Sequence, residues 1–236
     1  MPPRNRSKAR VSGTEKRRSV TGKLRLNAGI RSAISAPRPD DFPVAGLRFP
    51  PFRRVVRIHN GHSQLQLDRR AIATAIQRLD THAAELLNLA AAPSALHPVP
   101  PGELSVAFLT DAALARLHAT FLADPSPTDV LTFAGIPALG QAGEICVSAD
   151  TARAFAAGHR HDLSEELTLY IVHGWLHLAG HDDRQPEQKK RMRAAEARAL
   201  TLLRASRAIP QFVFAPAGSG GVAAPGQSRR PPDQGQ

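Results

Sequence analysis

Two histidines four residues apart, His173 and His177, are the residues of this chain whose type and spacing best suit chemistry. Positions i and i+4 lie on one face of a helix with neighbouring Cβ atoms, so two imidazoles can converge on a single ion. The face opposite them carries Leu167, Ile171 and Leu178, which marks an amphipathic helix rather than a chance pair on a solvated surface. The chain then breaks at Gly180 and at once presents His181, Asp182 and Asp183, which can fold back toward the pair. A catalytic zinc takes three protein ligands and keeps one position open for water, and this run has enough donors to supply them. A protease of the H-E-x-x-H type needs a glutamate after its first histidine as general base. Here that position is Gly174, which argues against such a peptidase and leaves open a related geometry with a different base.

Alternating apolar stretches in residues 54–67 (Val55-Val56-Arg57-Ile58, then Leu65-Gln66-Leu67) suit one or two strands. Ile72, Ile76, Leu79, Leu86 and Leu87 recur at helical spacing over 69–89. A strand is expected over Leu104–Leu109, then a helix from Asp111, as its N-cap, through Phe121. Short strands are expected over 130–133 and 144–147, and a helix over 149–157. The histidine helix is expected to start at a Ser164 cap, with Glu165 and Glu166 in the first turn where the dipole favours carboxylates, and to stop at Gly180. Residues 185–204 make a last amphipathic helix. Strands and helices therefore intersperse in one domain over 54–207, an α+β arrangement without internal repeats.

The flanks read differently. Residues 1–53 are rich in Arg, Ser, Pro and Gly without periodicity, and 208–236, most plainly from Ala215, read as a second tail; both have the composition of disorder. The net charge of +11 is not spread evenly: residues 1–57 carry 15 Lys and Arg against three acids, and the remaining 179 residues carry 16 against 17. The basicity thus belongs to the N-terminal segment, not to the domain. That segment fits a basic arm that attracts RNA phosphates, an acid-poor transit-like segment, or translated sequence upstream of the true start. Cys146 is the single cysteine, so no intrachain disulfide or Cys-based zinc cluster can form, which suits a reducing compartment. No apolar run nears the roughly 18 residues of a membrane helix, and a cytoplasmic location without membrane association is expected.

At the histidine run the sequence resembles the YbeY family of bacterial endoribonucleases, the rRNA maturation factors, whose motif is H-G-x-L-H-L-x-G-Y-D-H. His173, Gly174, Leu176, His177, Leu178, Gly180 and Asp182 match it. Pro127-Thr128-Asp129-Val130-Leu131-Thr132-Phe133 is similar to the family's P-T-D-V-L-S-F strand, and Gly143-Glu144-Ile145-Cys146-Val147 to its G-D-I-V-I strand. The resemblance spans about Val55 to Leu203. It implies a small mixed sheet packed with helices, a zincin-like metal-binding helix and one bound Zn2+. It also implies single-strand RNA cleavage in ribosomal RNA maturation and ribosome quality control, with ribosomal RNA and the ribosome, its small subunit above all, as partners.

Two departures bear on the site. The family's third metal-binding histidine falls on Asp183, and its tyrosine position is His181. Aspartate is a legitimate zinc ligand, so the resemblance implies His173, His177 and Asp183 as the metal set, with His181 as the alternative third ligand. An anionic ligand leaves the ion less Lewis-acidic than three imidazoles would, or lets a harder ion bind. Where the family carries an arginine before its P-T-D-V-L run, this chain has Leu122. Asp182 and Glu166 are the candidate catalytic carboxylates. Glu166 and Tyr170 share the stripe of His173 and His177 at spacings of four, three and four, and Glu166 also falls on a family acid. Thr128 and Asp129 are candidates for lining the substrate cleft; His118, His159 and His161 read as ordinary surface histidines. The competing readings are a ribosome assembly factor with a mainly structural metal, closed by four ligands, and a metal hydrolase of another small substrate.

Overall fold

The computed structural model describes residues 54–89, 96–124 and 126–216. The segment expected at 1–53, most of the tail expected from 208 and the side chain of Leu122 lie outside the described residues. Strand β1 (Val55–Asn60) leads through β2 (Leu65–Leu67) into helix α1 (Arg69–Thr81) and the short α2 (Ala83–Leu86). Then follow β3 (Glu103–Leu109), α3 (Asp111–Leu122), β4 (Val130–Ala134) and β5 (Gln141–Ser148). Helices α4 (Ala149–His159), α5 (Leu163–Leu178) and α6 (Pro186–Ala205) precede a last strand, β6 (Phe212–Phe214). Four strands make a mixed sheet in the order β1-β3-β5-β4; β1, β3 and β5 run parallel, and β4 is an antiparallel edge on β5. The architecture is the expected α+β one, a small mixed sheet packed with helices.

Helix boundaries move where side chains compete for the termini. Asp162, not Ser164, caps α5 and accepts from the Glu165 amide at 2.9 Å. The Ser164 hydroxyl is instead spent on the Phe212 amide, 3.0 Å away, which ties β6 to α5. Thr110 caps α3 by accepting from Ala113, so Asp111 becomes the first helical residue and its carboxylate takes up the hydroxyls of Ser148 and Thr151. The helix expected over 69–89 breaks at His82, where φ −105° and ψ 16° leave the α region. Strand β6 lies past residue 207, inside the stretch expected to be tail. It pairs antiparallel with β2, and a three-residue strand with so distant a partner leaves no local sequence signal.

Helix α5 is central, with apolar residues around most of its circumference. Leu167, Ile171, Val172, Trp175 and Leu176 are buried against Val106, Ile145 and Val147 of the sheet, and α1 and α6 close the same side through Ile72, Ile76, Leu79, Met192, Ala195 and Ala199. Each such large side chain removed from water stabilises the fold by roughly 1.5–3 kcal/mol. Trp175 does not leave its indole N–H stranded: it donates to Asp80 at 2.9 Å. Asp80 also pairs with Arg54, whose guanidinium reaches the carbonyls of Val99 (3.1 Å) and Gly102 (3.3 Å), so α5 is pinned to α1 and the start of β1. The other sheet face is covered by α3, where Leu114 packs on Ala107, Leu131 and Cys146.

Gly174 sets how closely α5 approaches the sheet. A Cβ there would stand 2.5 Å from Ile145 Cγ2 and 3.2 Å from Thr132 Oγ1. Ile145 is fully buried and, being β-branched, has little rotamer freedom to yield. On helix propensity alone Gly174→Ala would stabilise the protein by about 1 kcal/mol. We expect the opposite sign here, a loss of about 1–3 kcal/mol from overpacking. Urea unfolding of the two proteins reads the difference, and a variant at least as stable as the parent would contradict the close approach.

Candidate metal centre

Helix α5 delivers His173 and His177 one turn apart, and the chain reverses after Ala179 because Gly180 adopts φ +92°. The reversal returns Asp183 to the histidines. His173, His177 and Asp183 form the only group of three or more His, Cys, Asp or Glu among the described residues whose ligand atoms all lie within 4.8 Å of one another. Side-chain exposure is 12% for His173, 4% for His177 and 7% for Asp183, so the donors face each other rather than water. His177 Nε2 lies 2.9 Å from His173 Nε2 and 3.9 Å from Asp183 Oδ1.

The donor chemistry fits a cation. His177 Nδ1 is 2.9 Å from the carbonyl of His181, which can only accept, so Nδ1 carries the hydrogen and Nε2 the lone pair. His173 Nδ1 donates in the same way to Glu196 Oε1 at 2.7 Å. Two ring lone pairs and a carboxylate thus converge on one point, an arrangement that repels itself until a positive charge sits between. Such outer partners of the Nδ1 atoms are how metal-binding imidazoles are oriented and held in the right tautomer. Zinc bonds of ~2.0–2.1 Å to nitrogen ask for ring nitrogens somewhat further apart, a shift within reach of side-chain rotation.

Burial first, and the His173 imidazole second, hold His177 down to about 4, against an ordinary 6.5; the His181 carbonyl and the carboxylates of Asp183 and Asp182 oppose this. Folded His177 therefore refuses a proton that the unfolded chain accepts from about pH 6.5 downward. The unfolded state binds more protons in that window, so stability falls as the pH drops from about 6.5 to about 4 and this contribution levels off below. Chemical denaturation across pH 7 to 4 with a chelator present measures the slope. His177→Asn should flatten it, and an unchanged slope in that variant would put the dependence elsewhere.

The other expected site residues separate. His181 stays outside the group of three: its ring is buried, and burial first, then Arg198 and Arg191, lowers its pKa. Its backbone rather than its side chain serves the centre, through His177 Nδ1. Asp182 accepts from the amides of Asp183 (2.8 Å) and Arg184 (3.2 Å) and from the Arg184 guanidinium at 2.8 Å. The Arg184 guanidinium first, and the two backbone amides after it, hold its carboxyl below the usual range, as in a turn-forming anion. Glu166 is buried two turns before His173, 3.7 Å from His161. The partner of His173 is instead Glu196 from α6. Thr128 is buried with its hydroxyl on the Val130 carbonyl at 3.2 Å, whereas Asp129 accepts from the Val130 amide and lines the cavity beside His173. His159 and His161 are exposed as expected; His118 is not, because α3 buries it with Nδ1 2.7 Å from the Ser126 carbonyl. Burial first, and the neighbouring Glu144 second, push the Cys146 thiol up, which disfavours its thiolate at neutral pH.

Two hollows are lined by residues of the candidate centre. A cavity of about 290 Å³ is lined by Asp129, Tyr170, His173, Asp183, Lys189 and Arg193 among others. A longer groove of about 930 Å³ runs along the edge strand β4, past Phe121, Phe133 and Thr132, to His177 and His181. His173 and Asp183 thus line one hollow and His177 the other.

The family model described as "Endoribonuclease YbeY" matches residues 57–204. A Chlamydia pneumoniae protein named endoribonuclease YbeY is 38% identical over 119 residues, 47% of this chain and 75% of that protein. A namesake from Rhodopirellula baltica is 38% identical over 129 residues, covering 53% of this chain and 66% of its own. One from Mycobacterium leprae is 36% identical over 113 residues, 43% and 64% of the two chains.

Proposed function

This chain belongs to the YbeY family, and we propose from that premise that it is a metal-dependent endoribonuclease acting on single-stranded ribosomal RNA, in rRNA maturation and ribosome quality control. The observation that carries the metal part is the convergence of His173, His177 and Asp183, with both Nδ1 atoms tied to acceptors behind them. These three residues would hold one ion, zinc by the donor set. When bound, the ion supplies Lewis-acid polarisation of a phosphoryl oxygen and acidifies a water. The side chains around it orient and bind. Glu196 and the His181 carbonyl keep each Nε2 turned inward, and Asp129, which lines the same cavity as His173, is the carboxylate we assign to take a proton from water there. Glu166 and Asp182, the carboxylates singled out in the sequence, are engaged elsewhere, with His161 and Arg184. A site with three gathered ligands supports catalysis over a structural metal, which is normally closed by four.

In this reading the helix α5 acts as a zincin-like ligand platform, residues 54–207 plus β6 form the catalytic unit, and the enzyme works in the cytoplasm. Among the described residues no helix is long and apolar enough to cross a membrane. The test is cleavage of single-stranded ribosomal RNA fragments by the purified full chain, with bound metal measured by elemental analysis. Cleavage that a chelator abolishes and zinc restores is expected. RNA cut equally well by metal-free protein would overturn the metal assignment, and no cleavage by the metal-loaded chain would overturn the nuclease reading.

A further inference from the structure

The start of α6 holds a concentration of positive charge that the domain as a whole lacks. Residues 184–193 carry Arg184, Lys189, Lys190, Arg191 and Arg193 against Glu187 alone, while residues 58–236 together are close to neutral. Three of these cations stand within the first two turns of α6, at the positive end of the helix dipole, where they weaken the helix rather than support it. Four residues apart, Lys189 and Arg193 share a helix face, and both line the cavity of about 290 Å³ that holds His173, Asp183 and Asp129. Neither forms an ion pair with a carboxylate among the described residues, whereas Arg184 is neutralised by Asp182 and Arg204 by Glu165. The carboxylates in the cavity are otherwise occupied: Glu196 binds His173, Asp183 belongs to the candidate metal set, and Asp129 accepts from the Val130 amide.

From this placement we infer that Lys189 and Arg193 are a phosphate-binding pair, gripping the backbone of an RNA strand next to the phosphate presented to His173, His177 and Asp183. The inference rests on the nuclease reading above for its substrate and adds the wall that holds it. A lysine offers a point charge and an arginine a planar fork, and both are suited to non-bridging phosphate oxygens. Contacts of this kind carry no base information, so the pair sets affinity and register along the strand rather than sequence preference. A flanking phosphate is held alike in ground and transition states, so its loss appears in KM rather than kcat.

The experiment titrates a labelled single-stranded oligoribonucleotide against the full chain by fluorescence anisotropy at several salt concentrations, with a chelator present so that no cleavage intervenes. The double variant Lys189→Gln/Arg193→Gln is compared with wild type and with Lys190→Gln, which removes a neighbouring charge that does not line the cavity. Each lost phosphate contact on a single strand flattens the slope of log K against log salt by ~0.7. The double variant should therefore lie about 1.4 shallower and bind about tenfold more weakly at moderate salt, with Lys190→Gln near wild type. Circular dichroism of each variant verifies that α6 is intact. A slope equal to wild type in a folded double variant overturns the pair, as does an equal loss per charge in Lys190→Gln, which would mark diffuse surface attraction. In the metal-loaded protein a raised KM with kcat retained supports the inference. Should wild type not cut RNA at all while the binding loss persists, the nuclease reading falls and the phosphate pair stands.

Discussion

Replacing His177 by alanine should remove bound metal and RNA cleavage together. The imidazole is the most secluded donor of the group, its side chain 4% exposed, and its Nδ1 is committed to the His181 carbonyl so that Nε2 has one role left. Removing it leaves His173 and Asp183, a pair that no longer encloses an ion. Changing mere outer partners of a metal ligand already costs 10–100-fold, so loss of a direct ligand should lower activity by at least about 100-fold. Zinc per chain, by elemental analysis after purification and dialysis, should fall from near one to near zero. The fold should survive, because the lost ring lies at the end of α5 and not among the buried residues that join helix to sheet. Asp183→Ala should behave alike, whereas His181→Ala should retain metal, because the contact to His177 runs through the backbone of residue 181. Full zinc content in His177→Ala, or its loss in His181→Ala with the fold intact, would reverse the ligand assignment.

The second large effect is expected at Glu196, which never touches the ion in this reading. Its carboxylate accepts from His173 Nδ1 at 2.7 Å across the α5–α6 interface, fixing the ring and raising the basicity of Nε2. Glu196→Ala removes the acceptor and leaves a largely buried ring N–H without a partner. Zinc affinity, measured by competition with a chromogenic chelator, should drop by about 10–100-fold. Glu196→Gln keeps an amide oxygen in place and should recover part of that loss, though without the charge. Glu196→Met, which keeps the side-chain bulk but offers His173 no oxygen acceptor, should lose as much affinity as Ala, and this distinguishes an orienting role from mere packing. If Gln is no better than Ala, or if neither changes zinc affinity, Glu196 does not position His173.

The chemistry-bearing pair and the helix under it were legible in the sequence because the rule that unites them is local. His173 and His177 need only a 3.6-residue repeat to share a face, and Gly180 needs only its freedom at φ +92° to end the helix and turn the chain. The alternation of strands and helices and its α+β outcome follow from the same short-range periods. Pairing of Ser164 with Phe212 was not legible, and it moved the helix cap to Asp162 while adding β6 to the fold. The apolar stripe of α6, Met192, Ala195, Ala199 and Leu203, was readable, yet nothing in its period marks Glu196 as the residue that meets His173.

By itself, then, the sequence determined the helix, its two inward imidazoles, its stop, and the short list of acids and histidines that follow. Only the tertiary structure separated them in space. It swung Asp183 to within reach of His177, left the His181 ring outside while using its carbonyl, and withdrew Asp182 to Arg184. It also brought Lys189 and Arg193 into the lining of the cavity that His173 and Asp183 share. The physical reason is one of range. Placement on a helix face is fixed by backbone geometry over four residues, whereas a ligand's third partner, its orienting carboxylate and the charge facing it depend on how α5, α6 and the loop between them pack, which no spacing in the chain encodes.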